Sequence, residues 1–184
     1  MSEIMEQKGK KDKDIVELIE RSREKIDIDT MSPLIWAYVG DSVYELYIRT
    51  HLTNITKLKP HQLHMKSIQY VKAGAQAKVL EDLMKYLTEQ EKEIVKRGRN
   101  AESHHLPKNA TVQEYMYSTA FEALIGYLYL TKQDKRLAEI LEKILELSKW
   151  EKEDSISYDR IKNKNTKSIW KWNKRIDEAT QNMV

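Results

Sequence analysis

Four helix-start signals divide the chain and limit what it can fold into. Thr88-x-x-Glu91 and Thr111-x-x-Glu114 are capping boxes, in which two side chains satisfy free amides at a helix N-terminus. Ser32-Pro33 pairs an N-cap residue with proline at the first helical position, and Pro60 can open another helix. Apolar residues recur at spacings of three and four after these signals, as in amphipathic helices. The pattern predicts an all-α protein.

The chain also holds few residues that interrupt helices, with only five Gly and three Pro among 184 residues. We expect a compact bundle of about six helices, over roughly residues 15–26, 33–52, 60–86, 88–98, 111–130 and 134–147. We divide the chain into a lead-in with a short helix, one helical domain and a polar tail, over residues 1–29, 30–148 and 149–184.

Composition excludes several classes of site and location. The sequence contains no cysteine, which excludes disulfides and thiolate metal sites. No apolar run approaches the roughly 18 residues of a membrane span, and the first residues lack the apolar core of a signal peptide. We therefore expect a cytoplasmic protein without a membrane partner.

The net charge of +3 resides in the tail, where nine basic and six acidic residues follow from Lys149 onward. Polyanion binding elsewhere must come from local patches.

Two acidic residues occupy helix positions where acids are costly. Asp41 falls in the predicted inward stripe of its helix, and Gly40 beside it permits close approach of another backbone. Glu122 falls in the inward stripe of the helix that begins near Thr111. It is flanked by the small residues Ser118, Ala123 and Gly126, which would let a neighbouring helix pack closely. If the two helices cross there, the two carboxylates face each other across a narrow gap.

Two facing carboxylates repel each other unless a proton or a cation lies between them. Oxygen ligands suit Mg²⁺ or Mn²⁺, which bind through one or two carboxylates, waters and substrate phosphates. The alternative is that each acid is paired with a lysine or capped by backbone amides, and spacing alone leaves both interpretations open. The histidines form no zinc pattern, and the chain has no Gly-rich phosphate loop or GxSxG motif, which disfavours an ATPase or a serine hydrolase.

A basic segment closes the predicted fourth helix and enters the loop behind it. Its candidate RNA-binding residues are Lys96, Arg97, Arg99, Asn100, Lys108 and Asn109. A glycine between the two arginines would let them fan out onto the backbone of A-form RNA. A solvated helix end that complements the helix dipole is an equal alternative. The tail places Trp150, Trp170 and Trp172 among basic residues, which suits either a nucleic-acid grip or an extension that docks on the domain.

The two acidic segments resemble the signature helices of the ribonuclease III family. The segment from Leu34 to Glu45 holds a Gly-Asp pair after an apolar run, and Thr119-Ala-Phe-Glu-Ala-Leu-Ile-Gly126 resembles the second signature. Lys96-Arg-Gly-Arg-Asn100, Pro107-Lys-Asn109 and the Tyr-x-Tyr-Ser-Thr run before Glu122 are similar to the Mini-III branch in particular. The resemblance covers about residues 30–147, with the elements in the expected order.

The resemblance implies a ribonuclease III-like endonuclease domain that acts as a homodimer on double-stranded RNA. Asp41 and Glu122 fall on the family's metal-binding acids, which implies catalysis with Mg²⁺, or Mn²⁺ in its place. Hydrolysis would leave 5′ phosphate and 3′ hydroxyl ends. The branch is associated with maturation of precursor large-subunit (23S) ribosomal RNA, and a ribosomal-protein helper is a further candidate partner. The branch lacks a separate RNA-binding domain, and the basic tail is a plausible substitute.

The sequence also departs from full-length ribonuclease III, which has further acids where Ala37 and Thr119 stand here. Four carboxylates are thus reduced to two, as in the Mini-III pattern. The departure leaves open a non-catalytic RNA-binding or ribosome-assembly protein on the same fold. A helical hydrolase of small nucleotides is a third reading, but its acids would cluster within one helix.

Overall fold

A computed structural model of the protein describes residues 15–24, 26–101 and 111–148. Over these residues it is helical and contains no strand, which confirms the all-α prediction. The described part holds seven α-helices rather than about six: α1 Ile15–Ser22, α2 Pro33–Ile55, α3 Pro60–Val71, α4 Ala73–Leu83, α5 Glu89–Arg99, α6 Val112–Leu130 and α7 Asp134–Leu147. Residues 1–14 of the lead-in and the whole tail 149–184, with its three tryptophans, lie outside the described residues. None of the described helices is long and apolar enough to cross a membrane.

The predicted start signals act as N-caps in the structure. Ser32 Oγ accepts a hydrogen bond from the Leu34 amide at 3.3 Å. In the two capping boxes the Thr88 amide donates to Glu91 Oε2 at 2.7 Å, and the Thr111 amide donates to Glu114 Oε2 at 2.9 Å. Each bond satisfies an amide that the helix leaves without a backbone partner. The starts of α2, α5 and α6 are therefore confirmed.

The prediction of one continuous helix from Pro60 to about Tyr86 is wrong. The chain adopts extended backbone at Lys72, with φ −67° and ψ 147°, and this residue ends α3 and precedes α4. A short 3₁₀ turn, Met84–Tyr86, then closes α4. The break lets α4 turn onto the core and bury Ala77, Val79, Leu80 and Leu83, which one straight helix would not achieve. The first helix was also predicted too long, since it ends at Ser22.

Helix α6 forms the centre of the fold, with α2, α4, α5 and α7 packed around it. Tyr44 of α2 and Phe121 of α6 pack edge to face, with ring centroids 4.8 Å apart. The largest fully buried side chains come from α2, α4, α6 and α7: Trp36, Tyr44, Ile48, Leu52, Leu80, Leu83, Phe121, Leu124, Ile125, Leu128, Ile140 and Ile144. Burial of apolar area on this scale is the main driving force for folding.

Two glycines bring the backbones of α2 and α6 into direct contact. A Cβ atom added to Gly40 would lie 1.8 Å from the carbonyl oxygen of Glu122. A Cβ atom added to Gly126 would lie 1.8 Å from the carbonyl oxygen of Trp36. Neither helix can carry a larger residue at this crossing without moving. The close approach predicted at Gly40 is confirmed, and it fixes how near Asp41 comes to α6.

An ion pair between α5 and α7 braces the side of the bundle. The guanidinium of Arg136 donates to both carboxylate oxygens of Glu91, at 2.7 and 3.0 Å, and to the carbonyl oxygen of Tyr86 at 3.0 Å. Glu91 is buried, and burial alone would raise its pKa. The hydrogen bonds from Arg136 and Thr88 nevertheless hold that pKa below its ordinary value. The pair therefore stabilises the fold in its ionised state.

Candidate active site

Asp41 lies on the edge of α2 rather than within its buried face. The buried residues of α2 are Trp36, Ala37, Gly40, Tyr44, Ile48, Leu52 and Ile55. Asp41 is exposed, so its prediction as part of the inward stripe was wrong, and Tyr38, one turn before it, is 78% exposed. The turn of α2 around Gly40 against α6 nevertheless places Asp41 beside the α6 segment that carries Glu122. Asp41 therefore lies at the solvent-exposed mouth of the crossing, that is, at the edge where α2 and α6 meet.

Glu122 lies deeper in the same crossing and is half-buried. Burial, and next the negative charge of Asp41, raise the pKa of Glu122 to about 8. The pKa of Asp41 is raised as well, by partial burial of its carboxyl group and then by Glu45. The repulsion between the two acids therefore adds to the pKa of the more buried one, Glu122. The structure brings Asp41 and Glu122 together, as the sequence predicted.

No third acid completes a metal cage in the part of the chain that the structure describes. Those residues contain no group of three or more His, Asp or Glu side chains that could hold a metal. Glu45, one turn beyond Asp41, is instead engaged by Arg49, whose Nε donates to Glu45 Oε1 at 3.1 Å. The carboxylates that this crossing offers among the described residues are therefore those of Asp41 and Glu122.

Two buried neutral residues stand at the positions where the sequence departs from the family that it resembles. Ala37 is buried on α2, and Thr119 is buried on α6. The Thr119 hydroxyl donates to the carbonyl oxygen of Tyr115 at 2.9 Å, within its own helix. Because both residues are neutral, the site carries less negative charge than it would with acids at these positions.

Sequence reasoning missed Gln76, which lies on α4 and is 1% exposed. Its amide interacts with the carboxyl group of Glu122 and offsets part of the rise in the pKa of that acid. The approach falls short of a normal hydrogen bond, and Nε2 of Gln76 has no partner among the described residues. A lone glutamine in a buried stripe of alanine, valine and leucine is the signal that could have found it.

The predicted basic residues divide between different sides of α5. Lys96 is exposed and forms a surface ion pair with Glu93 at 3.3 Å, and Asn100 is exposed at the helix end. The guanidinium of Arg97 lies 4.5 Å above the ring of buried Trp36. Arg99 lines a groove that is mixed in charge, with Lys92 and Lys96 beside the acids Glu81, Glu89 and Glu93. The two remaining candidates, Lys108 and Asn109, lie outside the described residues.

Gly98 has a different role from the one predicted. It is buried, and a Cβ atom added there would lie 2.7 Å from the Cβ of Ala123 and 2.9 Å from the Cα of Ala120. The residue therefore lets α5 pack closely on α6, rather than freeing the neighbouring arginines to fan out. Close packing here ties the basic end of α5 to the helix that carries Glu122.

Comparison with known proteins matches the part of the chain that carries Asp41 and Glu122. Residues 34–133 match the family described as "Ribonuclease III domain". The chain is 47% identical over 126 residues to Mini-ribonuclease 3 of Clostridium tetani, across 67% of this chain and 82% of that protein. It is 48% identical over 120 residues to Mini-ribonuclease 3 of Staphylococcus aureus, across 64% of this chain and 90% of that protein. A crystal structure of a Fusobacterium nucleatum protein aligns with a TM-score of 0.59 and 31% identity, across 65% of this chain and 96% of that one.

Proposed function

The chain belongs to the ribonuclease III family and is an endoribonuclease, and we propose that Asp41 and Glu122 are its catalytic, metal-binding pair. The observation that carries the proposal is the crossing of α2 and α6. Two carboxylates are held there on touching backbones, and the pKa of the deeper one rises to about 8. Such a perturbed acid beside a second acid is typical of a functional site.

The pair fits Mg²⁺, with Mn²⁺ as a substitute. Both donors are carboxylate oxygens, and a cation between them would offset the burial and the repulsion from Asp41 that together raise the pKa of Glu122. Mg²⁺ commonly binds through one or two carboxylates and completes its shell with waters and substrate phosphates, so a third protein acid is not required. When bound, the cation supplies Lewis acidity toward water and toward the scissile phosphate.

The two acids contribute differently because their burial differs. Asp41 is exposed at the mouth of the crossing, where a phosphodiester of an approaching duplex can reach it. Glu122 lies deeper, where lower solvation strengthens its interaction with any cation. The glycine contacts between α2 and α6 hold the acids at a fixed separation, which spares the enzyme the entropy of assembling them.

We assign duplex binding to the basic end of α5 and the segment after it. Lys96 and Asn100 are exposed, Arg99 borders a groove, and Arg97 is fixed on Trp36, so cationic groups face more than one direction. Lys108 and Asn109 belong to the same proposal. Contacts of this kind bind the phosphate backbone and read helix shape more than base sequence.

We further propose that the enzyme acts as a homodimer on precursor large-subunit (23S) ribosomal RNA in the cytoplasm. Exposed apolar side chains on α2, namely Ile35, Tyr38 and Leu46, supply a surface that a second copy can cover. The ribosomal substrate and a ribosomal-protein helper rest on the resemblance to the Mini-III branch. The chemistry would leave 5′ phosphate and 3′ hydroxyl ends.

The test is cleavage of a labelled RNA duplex and of its single strand, in Mg²⁺ or in EDTA. We expect cutting of the duplex alone, dependent on Mg²⁺, with products that carry 5′ phosphates. Asp41→Asn and Glu122→Gln should abolish cutting while a gel-shift assay shows duplex binding retained. Glu142→Gln, at an exposed glutamate of α7, is the matched control and should cut normally. Tight duplex binding by the wild type without any cutting in Mg²⁺ or Mn²⁺ would contradict the proposal.

A further inference from the structure

Gln76 is a buried polar side chain that the proposed chemistry leaves without a role. Its Nε2 has no hydrogen-bond partner among the described residues, and a buried amide without a partner destabilises the fold. Two other buried nitrogens share this condition, Arg23 Nε and Trp36 Nε1. Arg23 bonds Asp134 through its remaining nitrogens, and Trp36 packs beneath Arg97, so these side chains are held by other contacts. The burial of Gln76 calls for a different reason.

The fold delivers Gln76 to the proposed metal site. The break at Lys72 turns α4 so that it packs along α6. Gln76 follows one turn later, between the buried or half-buried small residues of the α4 stripe, and its amide interacts with the carboxyl group of Glu122. A glutamine amide is neutral, so it can approach a carboxylate that already faces a second acid without adding charge. It can also donate to that carboxylate, which a second acid in its ionised form cannot do.

We propose that Gln76 is a positioning residue of the metal site, whose Nε2 donates a hydrogen bond to the Glu122 carboxylate when a divalent cation is bound and so fixes its orientation. The inference rests on the proposed function, because it assigns a partner to an acid taken as a metal ligand. Carboxylates that bind metals are generally hydrogen-bonded by a second layer of side chains, and losing such a partner typically weakens metal binding about 10–100-fold. This role requires a hydrogen-bond donor that has no partner while the metal is absent, as is the case for Gln76 Nε2.

The experiment measures Mn²⁺ binding to the full chain by calorimetry, with the metal alone and no RNA. Gln76→Met keeps the length of the side chain and removes the donor, and Gln76→Leu removes the donor with a different shape. Ser67→Ala is the matched control, since Ser67 is equally buried but its hydroxyl donates to the carbonyl oxygen of His64. Urea unfolding in EDTA, for every variant, reports the stability of the metal-free fold.

We expect the Kd for Mn²⁺ to rise about tenfold or more in both Gln76 variants and to stay unchanged in Ser67→Ala. The unfolding midpoint of Gln76→Met in EDTA should equal or exceed that of the wild type, because the substitution removes an unsatisfied donor. Duplex cleavage should fall at low Mn²⁺ and recover at high Mn²⁺, with an unchanged KM for RNA.

Two outcomes would overturn the inference while leaving the proposed function intact. One is a wild-type Kd for Mn²⁺ in Gln76→Met. The other is weaker Mn²⁺ binding accompanied by a matching loss of stability in EDTA, which would make Gln76 a packing residue. A wild-type protein that binds no Mn²⁺ at all would instead overturn the proposed function, and this inference with it.

Discussion

Replacing Gly126 with alanine tests whether contact between the backbones of α2 and α6 sets the geometry of the candidate site. The new Cβ would lie 1.8 Å from the carbonyl oxygen of Trp36 and 2.9 Å from the amide nitrogen of Gly40. Restoring an ordinary van der Waals distance requires the two helices to separate by about 1.5 Å at this point. The clash involves backbone atoms, so no side-chain rotation can relieve it.

The energetic consequence can be bounded from opposing effects. Overpacking a core costs about 1–3 kcal/mol, and a clash between two backbones falls at the upper end of that range. Alanine recovers about 1 kcal/mol of helix propensity relative to glycine. We therefore expect Gly126→Ala to lose about 2 kcal/mol of unfolding free energy. A displacement of about 1 Å can lower catalysis about 100-fold, so duplex cleavage should fall more steeply than stability alone explains.

The assay combines urea unfolding, followed by circular dichroism, with duplex cleavage under conditions in which the variant is fully folded. Gly74→Ala is the matched control, because its added Cβ would meet no backbone atom and only the carboxylate end of Glu114, with Oε1 at 2.7 Å. Because that carboxylate also accepts the capping hydrogen bond from the Thr111 amide, the variant should lose no more than about 1 kcal/mol of stability and should keep wild-type cleavage when folded. Wild-type stability and cleavage in Gly126→Ala would refute the argument that this contact positions the two acids.

Three further predictions concern charged side chains. Glu91→Gln should destabilise the fold by about 2–3 kcal/mol at pH 7, since Arg136 loses a buried partner. The hydrogen bonds from Arg136 and Thr88 outweigh burial and lower the pKa of Glu91, so the stability that Glu91 contributes is complete above pH 4.5 and is lost as pH falls. Urea denaturation curves of the variant and the wild type should therefore converge in acid. Burial and the charge of Asp41 raise the pKa of Glu122 from 4.5 to about 8, so the stability of the wild type declines as pH rises between these values. In EDTA, Glu122→Gln should therefore be more stable than the wild type at pH 8, by on the order of 1–3 kcal/mol, but not at pH 4. Arg99→Ala should weaken duplex binding and reduce its salt slope by about one, whereas Arg97→Ala should also lose about 1 kcal/mol of stability with its contact to Trp36, as measured by gel shift and urea unfolding.

Local signals predicted much of this fold because they act within a few residues. The capping boxes at Thr88 and Thr111 and the Ser32-Pro33 start depend on bonds between near neighbours, so the sequence alone reveals them. The pairing of Asp41 with Glu122 was also predictable, since Gly40 and Gly126 marked the point where two helices could touch. Glycine in a helix interior is unfavourable unless a close approach requires it.

The features that were mispredicted or missed depend on how helices are rotated about one another. Apolar residues lie on several sides of α2, so their spacing did not show that Trp36 faces inward while Tyr38 and Asp41 face outward. The break falls on Lys72 itself, with no proline, and Gly74 two residues later lies within α4, so spacing did not place the break at Lys72. The contacts of Gln76 and Arg97 follow from these rotations, which is why spacing could not predict them.

The central helix links the proposed metal-binding acids to the proposed RNA-binding surface. On one side of α6, Gly40 lies against the backbone of Glu122; on another, Gly98 lies against Ala123, the very next residue. The two contacts fix α2, with Asp41, and α5, with its basic end, to consecutive residues of one rigid helix. A carboxylate pair and a phosphate-binding surface that share a helix in this way keep a constant separation without a hinge between them. Enlarging Gly98 should therefore displace the basic end of α5 from the acids and impair cleavage of bound duplex, even though neither the acids nor the basic side chains have changed.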